Sequence, residues 1–177
     1  QNGERKSGFD SDTSELEIID LGCGDGTLTV EMAKFAKHVT GVDINPDILA
    51  MARQRTDRLG LQNVSFLVED ASNLSLSSES LDVVFFSQSL HHLENPQKGL
   101  HEAARILRPG GQVLVMELAS HQEEWVLEKL GHKWLGFEKE FLIDCMQNAG
   151  LKNLYSEVLP HRREELFQII LSAGCKS

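Results

Sequence analysis

One stretch near the start of the chain limits what it can fold into more than any other: Ile18-Ile19-Asp20-Leu21-Gly22-Cys23-Gly24-Asp25-Gly26-Thr27-Leu28. A short apolar run, β-branched at its start, meets three glycines spaced two apart, and a helical pattern follows at once. The run reads as a buried strand, and the glycines mark a backbone bend without room for Cβ atoms. A strand, a glycine turn and a helix N-terminus together form a platform for a nucleotide-like ligand, because free N–H groups and the helix dipole point into the turn.

The rest of the chain repeats the strand-then-helix alternation. Leu28, Met32, Phe35 and Ala36 recur at helical spacing between Thr27 and Lys37. His38 to Ile44 is a second strand. Asn45-Pro46 then starts a helix with Ile48, Ala52 and Leu59 as its inner stripe and Gly60 after its end. Val64 to Asp70 is a third strand, Ser72 to Ser80 a serine-rich loop, and Leu81 to Ser87 a nearly continuous apolar strand of the kind covered on both faces. Asn95-Pro96 repeats the cap signal for a helix lined by Leu100, Ala103, Ala104 and Leu107 and ended by Pro109-Gly110-Gly111. Gln112 to Leu118 is a fifth strand.

His121 to Phe137 is amphipathic and holds both tryptophans, Glu138 to Ala149 reads as a helix, and residues 154–159 and 166–171 as two final strands. The short turn between them, around Pro160, makes them antiparallel. The expected fold is α/β: a doubly wound, Rossmann-like sheet of about seven strands, mostly parallel with an antiparallel last strand. Residues 1–17 read as a polar leader and 18–177 as one domain. Within it, 18–118 is a cofactor-binding half and 119–177 an acceptor-side half.

Composition narrows the partners. The 177 residues carry a formal net charge of −10, which argues against a surface built to grip nucleic acid. No apolar run approaches the roughly 20 residues needed to cross a bilayer, and the polar start lacks the apolar core of a secretory signal. A cytoplasmic location with no membrane partner is the resulting expectation. Cys23, Cys145 and Cys175 are widely separated and form no CxxC pair, so neither a disulfide frame nor a metal site is expected.

The ligand of such a sheet lies beyond the carboxyl ends of its strands. Three features converge there: the glycine turn, Asp43 after the second strand, and Asp70 after the third. An acid about 20 residues past the first glycine suits ribose hydroxyls, and an acid on the next strand suits the amine edge of adenine. The spacing Gly22-x-Gly24-x-Gly26 differs from the G-x-G-x-x-G of dinucleotide enzymes. Two acids fit a cationic amine and sulfonium better than a pyrophosphate.

These residues resemble the class I S-adenosylmethionine-dependent methyltransferases. The matching motifs are Asp20-Leu21-Gly22-Cys23-Gly24-Asp25-Gly26, Gly41-Val42-Asp43, Glu69-Asp70-Ala71, Leu90-His91-His92-Leu93 and Leu107-Arg108-Pro109-Gly110-Gly111, in order over residues 16–118. The segment from Gln122 to Phe137 is also similar to methyltransferase domains fused behind bacterial winged-helix repressors of the arsenic-sensing type. With no winged-helix pattern in these residues, no regulatory role is carried over. Arsenic methylation would need converging thiols, which Cys145 and Cys175 do not supply.

The resemblance implies S-adenosylmethionine as cofactor, with S-adenosylhomocysteine as product and a small-molecule acceptor. It implies that Gly22, Cys23, Gly24 and Gly26 form the cradle, with Asp20 near the cofactor's amino group and Asp43 on the ribose. Ile44 would pack on adenine, Asp70 and Ala71 would read its amine edge, and Ser87 would line the methyl-donor end. His91 and His92 are the catalytic candidates, since imidazole titrates near neutral pH; either could instead cap the next helix. Trp125 and Trp134 could roof the acceptor pocket, form a homodimer contact or pack in the core. Two alternatives stand beside the enzyme: a cofactor-binding sensor, suggested by the short leader, and a nicotinamide-dependent reductase, disfavoured by the glycine spacing.

Overall fold

In the computed structural model, residues 13–161 and 165–177 are described. The leader therefore lies largely outside the described residues; Thr13–Glu15 form one 3-10 turn, and the first strand begins at Glu17. In chain order the elements are β1 (Glu17–Leu21), α1 (Thr27–Met32), β2 (His38–Asp43), α2 (Pro46–Leu59), β3 (Val64–Val68), β4 (Leu81–Ser87), a 3-10 turn (Leu90–His92) and α3 (Pro96–Ile106). There follow β5 (Leu107–Leu118), α4 (Trp125–Lys129), α5 (Lys139–Asn148), β6 (Lys152–Val158) and β7 (Ile169–Cys175). One seven-stranded sheet has the order β3-β2-β1-β4-β5-β7-β6. Strands β1 to β5 pair in parallel, and β7 runs antiparallel between β5 and β6. The mixed sheet with one reversed strand is the one expected.

Period-two alternation along β1 divides the core between two faces. Ile19 and Leu21 join Val84, Phe86, Leu100, Ile106, Leu142 and Met146 under α3 and α5, whereas Ile18 packs with Ala33, Ala36 and Val39 under α1. Cys23, Leu49, Ala52 and Phe66 make a small cluster beneath α2. The Asn-Pro signals behave as read: the Asn45 side chain accepts from the N–H groups of Asp47 and Ile48, and Asn95 accepts from Lys98.

Several expected boundaries move. Helix α1 ends at Met32, and Phe35 is exposed. The Asn63 amide donates to the carbonyls of Ala33 and Ala36 at 2.8 and 3.0 Å, taking up the oxygens a longer helix would use. The inner stripe of α2 is Leu49, Ala52 and Thr56, one residue round from Ile48, and Leu59 faces solvent. After α3 the chain enters β5 directly at Leu107. Arg108 to Gly111 fill a register shift between the Leu81–Leu107 and Val83–Gln112 pairs, so Pro109-Gly110-Gly111 is a bulge rather than a helix end. The expected 121–137 amphipathic element shrinks to the five residues of α4. Strand β7 runs on through Ser172, Ala173 and Gly174, because pairing on both sides overrides their poor strand preference. Among the described residues no helix is long and apolar enough to cross a membrane.

Candidate functional site

Strand order reverses at β1, whose neighbours are β2 and β4, and a cavity of about 660 Å³ opens beyond the carboxyl ends of these strands. That volume lies within the range of small-ligand sites, roughly 300–1,000 Å³. Its wall is built strand by strand: Gly22 and Gly24 after β1, Asp43 and Ile44 after β2, Glu69 to Ser72 after β3, and Gln88, Ser89 and His92 after β4.

The glycine turn is held on β2. The N–H groups of Gly22 and Cys23 both donate to Val42 O, at 2.7 and 2.9 Å. Gly22 sits at φ +76°, and a Cβ there would fall 2.3 Å from Ser89 Cβ, so glycine is required twice over. Gly24 also has a positive φ, +54°, but nothing lies within 4 Å of the place its Cβ would take. Gly24 itself lines the cavity. Gly26 does not line it; it allows α1 to approach Ala52 of α2.

Asp43 is preorganised by this turn. Its Oδ2 accepts from Gly24 N–H at 3.0 Å and its Oδ1 from Asn45 N–H at 2.9 Å, while the carboxylate borders the cavity. Beside it Ile44, on the cavity wall, is 71% exposed, an apolar side chain largely without protein cover. Asp70 Oδ1 accepts two hydrogen bonds from Ser72, through N–H and Oγ, at 2.8 and 2.7 Å.

Five site residues expected from the sequence stand off the wall. Asp20 is buried on the α1 side of β1; its Oδ2 accepts from Thr29 Oγ at 2.7 Å, and its Oδ1 has no partner among the described residues. Burial, opposed by the Thr29 hydrogen bond and reinforced by the charge of Asp43, raises its pKa to about 6. The Cys23 side chain turns into the cluster under α2, and burial with the nearby Asp20 and Asp43 carboxylates pushes its thiol far up, so no thiolate is available. Gly26 has the packing role above. Ser87 is half-buried off the wall because Phe86 and Gln88, one residue to either side, face the cavity. His91 is buried behind His92.

His91 introduces a group the sequence reading missed. Glu117, at the end of β5, is completely buried, and it accepts N–H donors from Leu90 at 2.6 Å and Leu118 at 3.1 Å. The carboxylate is thus an acceptor, and His91 Nδ1 donates to it at 2.6 Å; the proton is assigned on that basis. His132, from the loop after α4, joins the pair: its ring centroid lies 4.1 Å from that of His91 and 5.0 Å from that of His92. Burial, then the His91 and His92 rings, lower the His132 pKa to about 4. Burial, then His91, also lower that of His92. A lone acid in an apolar strand was the available signal for Glu117; nothing local marked His132. The tryptophans part company. Trp134 donates to Leu93 O at 3.0 Å and packs on Phe137 and Phe141, whereas Trp125 is partly exposed.

A family model described as a methyltransferase domain matches residues 12–155. The ubiquinone biosynthesis O-methyltransferase of Klebsiella pneumoniae is 30% identical over 120 residues, 67% of this chain and 49% of that protein. A demethylmenaquinone methyltransferase of Tropheryma whipplei is 35% identical over 114 residues, 64% of this chain and 46% of that one. The chain thus spans about half the length of the curated relatives it matches. Among solved structures, the phosphoethanolamine N-methyltransferase 2 of Haemonchus contortus, in complex with S-adenosyl-L-methionine, matches with TM-score 0.80 at 18% identity. The match covers 95% of this chain and 50% of that one.

Proposed function

This chain belongs to the methyltransferase-domain family, and on that premise we propose that it transfers a methyl group from S-adenosylmethionine to a small-molecule acceptor, leaving S-adenosylhomocysteine. The observation that carries the reading is the convergence of Gly22, Gly24, Asp43, Ile44 and Asp70 on one cavity at the switch in strand order. The names of the relatives, a ubiquinone O-methyltransferase and a demethylmenaquinone methyltransferase, support a small acceptor.

The residues present fit the cofactor. The fixed Asp43 carboxylate suits a vicinal diol, and exposed Ile44 suits the face of a purine that would cover it. Asp70 and Ala71 stand at the cavity where an amine edge would be read. The space open at Gly24 admits a ligand close to the backbone. The unpartnered Asp20 Oδ1 gives the buried turn a negative group beneath a cationic amine. When bound, S-adenosylmethionine supplies a methyl carbon activated by its sulfonium leaving group.

What the chain itself contributes is position: a fixed turn, a fixed carboxylate and a walled cavity that hold donor and acceptor in line. His92 is the imidazole on that wall, beside Glu94 and Lys98, with His91 and Glu117 behind it. Burial and the neighbouring His91 lower its pKa from the ordinary imidazole value, which favours the neutral ring with a lone pair to offer. The test is incubation of the full chain with methyl-labelled S-adenosylmethionine and a panel of quinols, catechols, thiols and amines. Acceptor-dependent formation of S-adenosylhomocysteine is expected. Cofactor binding without transfer to any member would overturn the enzyme reading in favour of a sensor.

A further inference from the structure

Three imidazoles and a buried carboxylate meet beside the cavity, and methyl transfer by position alone uses none of the assembly behind His92. One ligand-capable nitrogen from each of His91, His92 and His132 lies within 4.8 Å of the other two. His91 donates its Nδ1 proton to Glu117, which leaves Nε2 with the free lone pair. The nearest acceptor to His92 Nδ1 is the carbonyl of Gly131, at 3.4 Å, which likewise leaves Nε2 free. His132 Nδ1 is buried with no hydrogen-bond partner among the described residues. Ordinary packing leaves that atom unsatisfied, in a ring that stacks against the other two imidazoles.

We infer that His91, His92 and His132 form a three-histidine site for a divalent transition metal of the zinc class, oriented through His91 by Glu117, and that the ion activates the acceptor's hydroxyl or thiol. Three neutral nitrogens with no carboxylate or carbonyl among them select zinc-like ions over magnesium or calcium. Three protein ligands with a fourth position open are the arrangement of catalytic rather than structural zinc. A carboxylate hydrogen-bonded to the far nitrogen of a ligating histidine fixes its tautomer and raises its basicity, which is the relation of Glu117 to His91. With metal–nitrogen bonds of about 2.0–2.1 Å, tetrahedral nitrogens stand about 3.4 Å apart, so modest side-chain rotations close the set. His92 is exposed, and its ring already packs on the other two, with centroids 4.4 Å from His91 and 5.0 Å from His132.

The link to function is His92, which belongs both to the cluster and to the cavity wall. This assignment of the ion's role rests on the methyl-transfer reading; the metal site itself does not. The step balances without an oxidant. The acceptor X–H bond breaks, its proton passes to water, and X binds the metal as an anion. X then forms the bond to the methyl carbon, while the carbon–sulfur bond breaks and its electron pair stays on sulfur. The cysteine spacing that argued against a metal could not register these residues, because none of the three is a cysteine.

The test is titration of the full chain with Zn²⁺ against a chromogenic chelator, and with Co²⁺ followed by visible spectroscopy. One equivalent at micromolar affinity and the intense bands of tetrahedral cobalt are expected. His132→Ala and His92→Ala should each weaken metal affinity at least tenfold, with S-adenosylhomocysteine binding to His132→Ala changed less than twofold. Wild-type protein that binds S-adenosylhomocysteine but no metal would overturn the site, as would a His132→Ala variant that binds cobalt like wild type. Loss of methyl transfer on chelation and its return with Zn²⁺ is expected for the activating role; transfer indifferent to the chelator would overturn that role. Absent S-adenosylhomocysteine binding would strike the cofactor reading and leave the metal titration to be read on its own.

Discussion

Gly24→Ala separates the stability of the turn from its use. Gly24 sits at φ +54° with no heavy atom within 4 Å of the added Cβ. The left-handed conformation costs a residue bearing a Cβ roughly 1–2 kcal/mol, so the free protein should lose about that much and no more. The same methyl group would stand in the cavity that Gly24 lines, and a tenfold to hundredfold loss of S-adenosylhomocysteine affinity, about 1.4–2.8 kcal/mol, is expected. Gly22→Ala is the contrast. Its Cβ would lie 2.3 Å from Ser89 Cβ at φ +76°, so overpacking adds about 1–3 kcal/mol to the same backbone strain. The total loss of stability is about 2–5 kcal/mol by these figures. Urea unfolding of each variant gives the first quantity and calorimetric titration the second. If Gly24→Ala binds S-adenosylhomocysteine like wild type, the ligand does not approach the turn, and the glycines are not its cradle.

Asp43→Asn should weaken binding of S-adenosylmethionine by about 1–3 kcal/mol, the scale for charged hydrogen bonds; an unchanged dissociation constant in calorimetry would refute the ribose role. For Asp20 the pKa is raised from 3.8 to about 6, so the folded state holds its proton where the unfolded state has lost it. Stability from this group is fully present below about pH 3.8 and is lost as pH rises through 6. Relative to Asp20→Asn, wild type should therefore lose up to about 3 kcal/mol between pH 4 and 7.5; parallel stability curves for the two proteins would contradict it. Glu117→Ala strips the acceptor from His91 Nδ1 and from the backbone N–H groups of Leu90, His91 and Leu118, and should cost at least about 1–3 kcal/mol in urea unfolding, the scale for one buried donor left unsatisfied. A loss below about 1 kcal/mol would mean that water replaces the carboxylate.

The parts of this molecule legible in its sequence are those fixed by neighbours along the chain. Asn45-Pro46 and Asn95-Pro96 mark helix starts because the cap bonds reach only two or three residues ahead. The glycine turn and the acids after β2 and β3 are legible because a parallel sheet sets every strand end on one edge. What escaped depends on distant contacts. The end of α1 is decided by Asn63, some 30 residues on. Cys23 falls inside the motif, yet its side chain serves the core under α2. Ser87 lies one residue out of phase with the lining pair Phe86 and Gln88, an offset that period-two alternation turns to the other face. Glu117 stands 26 residues from His91 in sequence, and His132 reaches the pair from a loop with no regular period. No local pattern could have joined the three.

On the proposed reading, the cavity between the glycine turn, Asp43 and Asp70 holds S-adenosylmethionine. Calorimetric titration of the full chain with S-adenosylhomocysteine tests it most directly, since the product needs no acceptor and undergoes no turnover. The structure predicts one site per chain, with micromolar affinity that S-adenosylmethionine competes away. No heat of binding at millimolar ligand would contradict it.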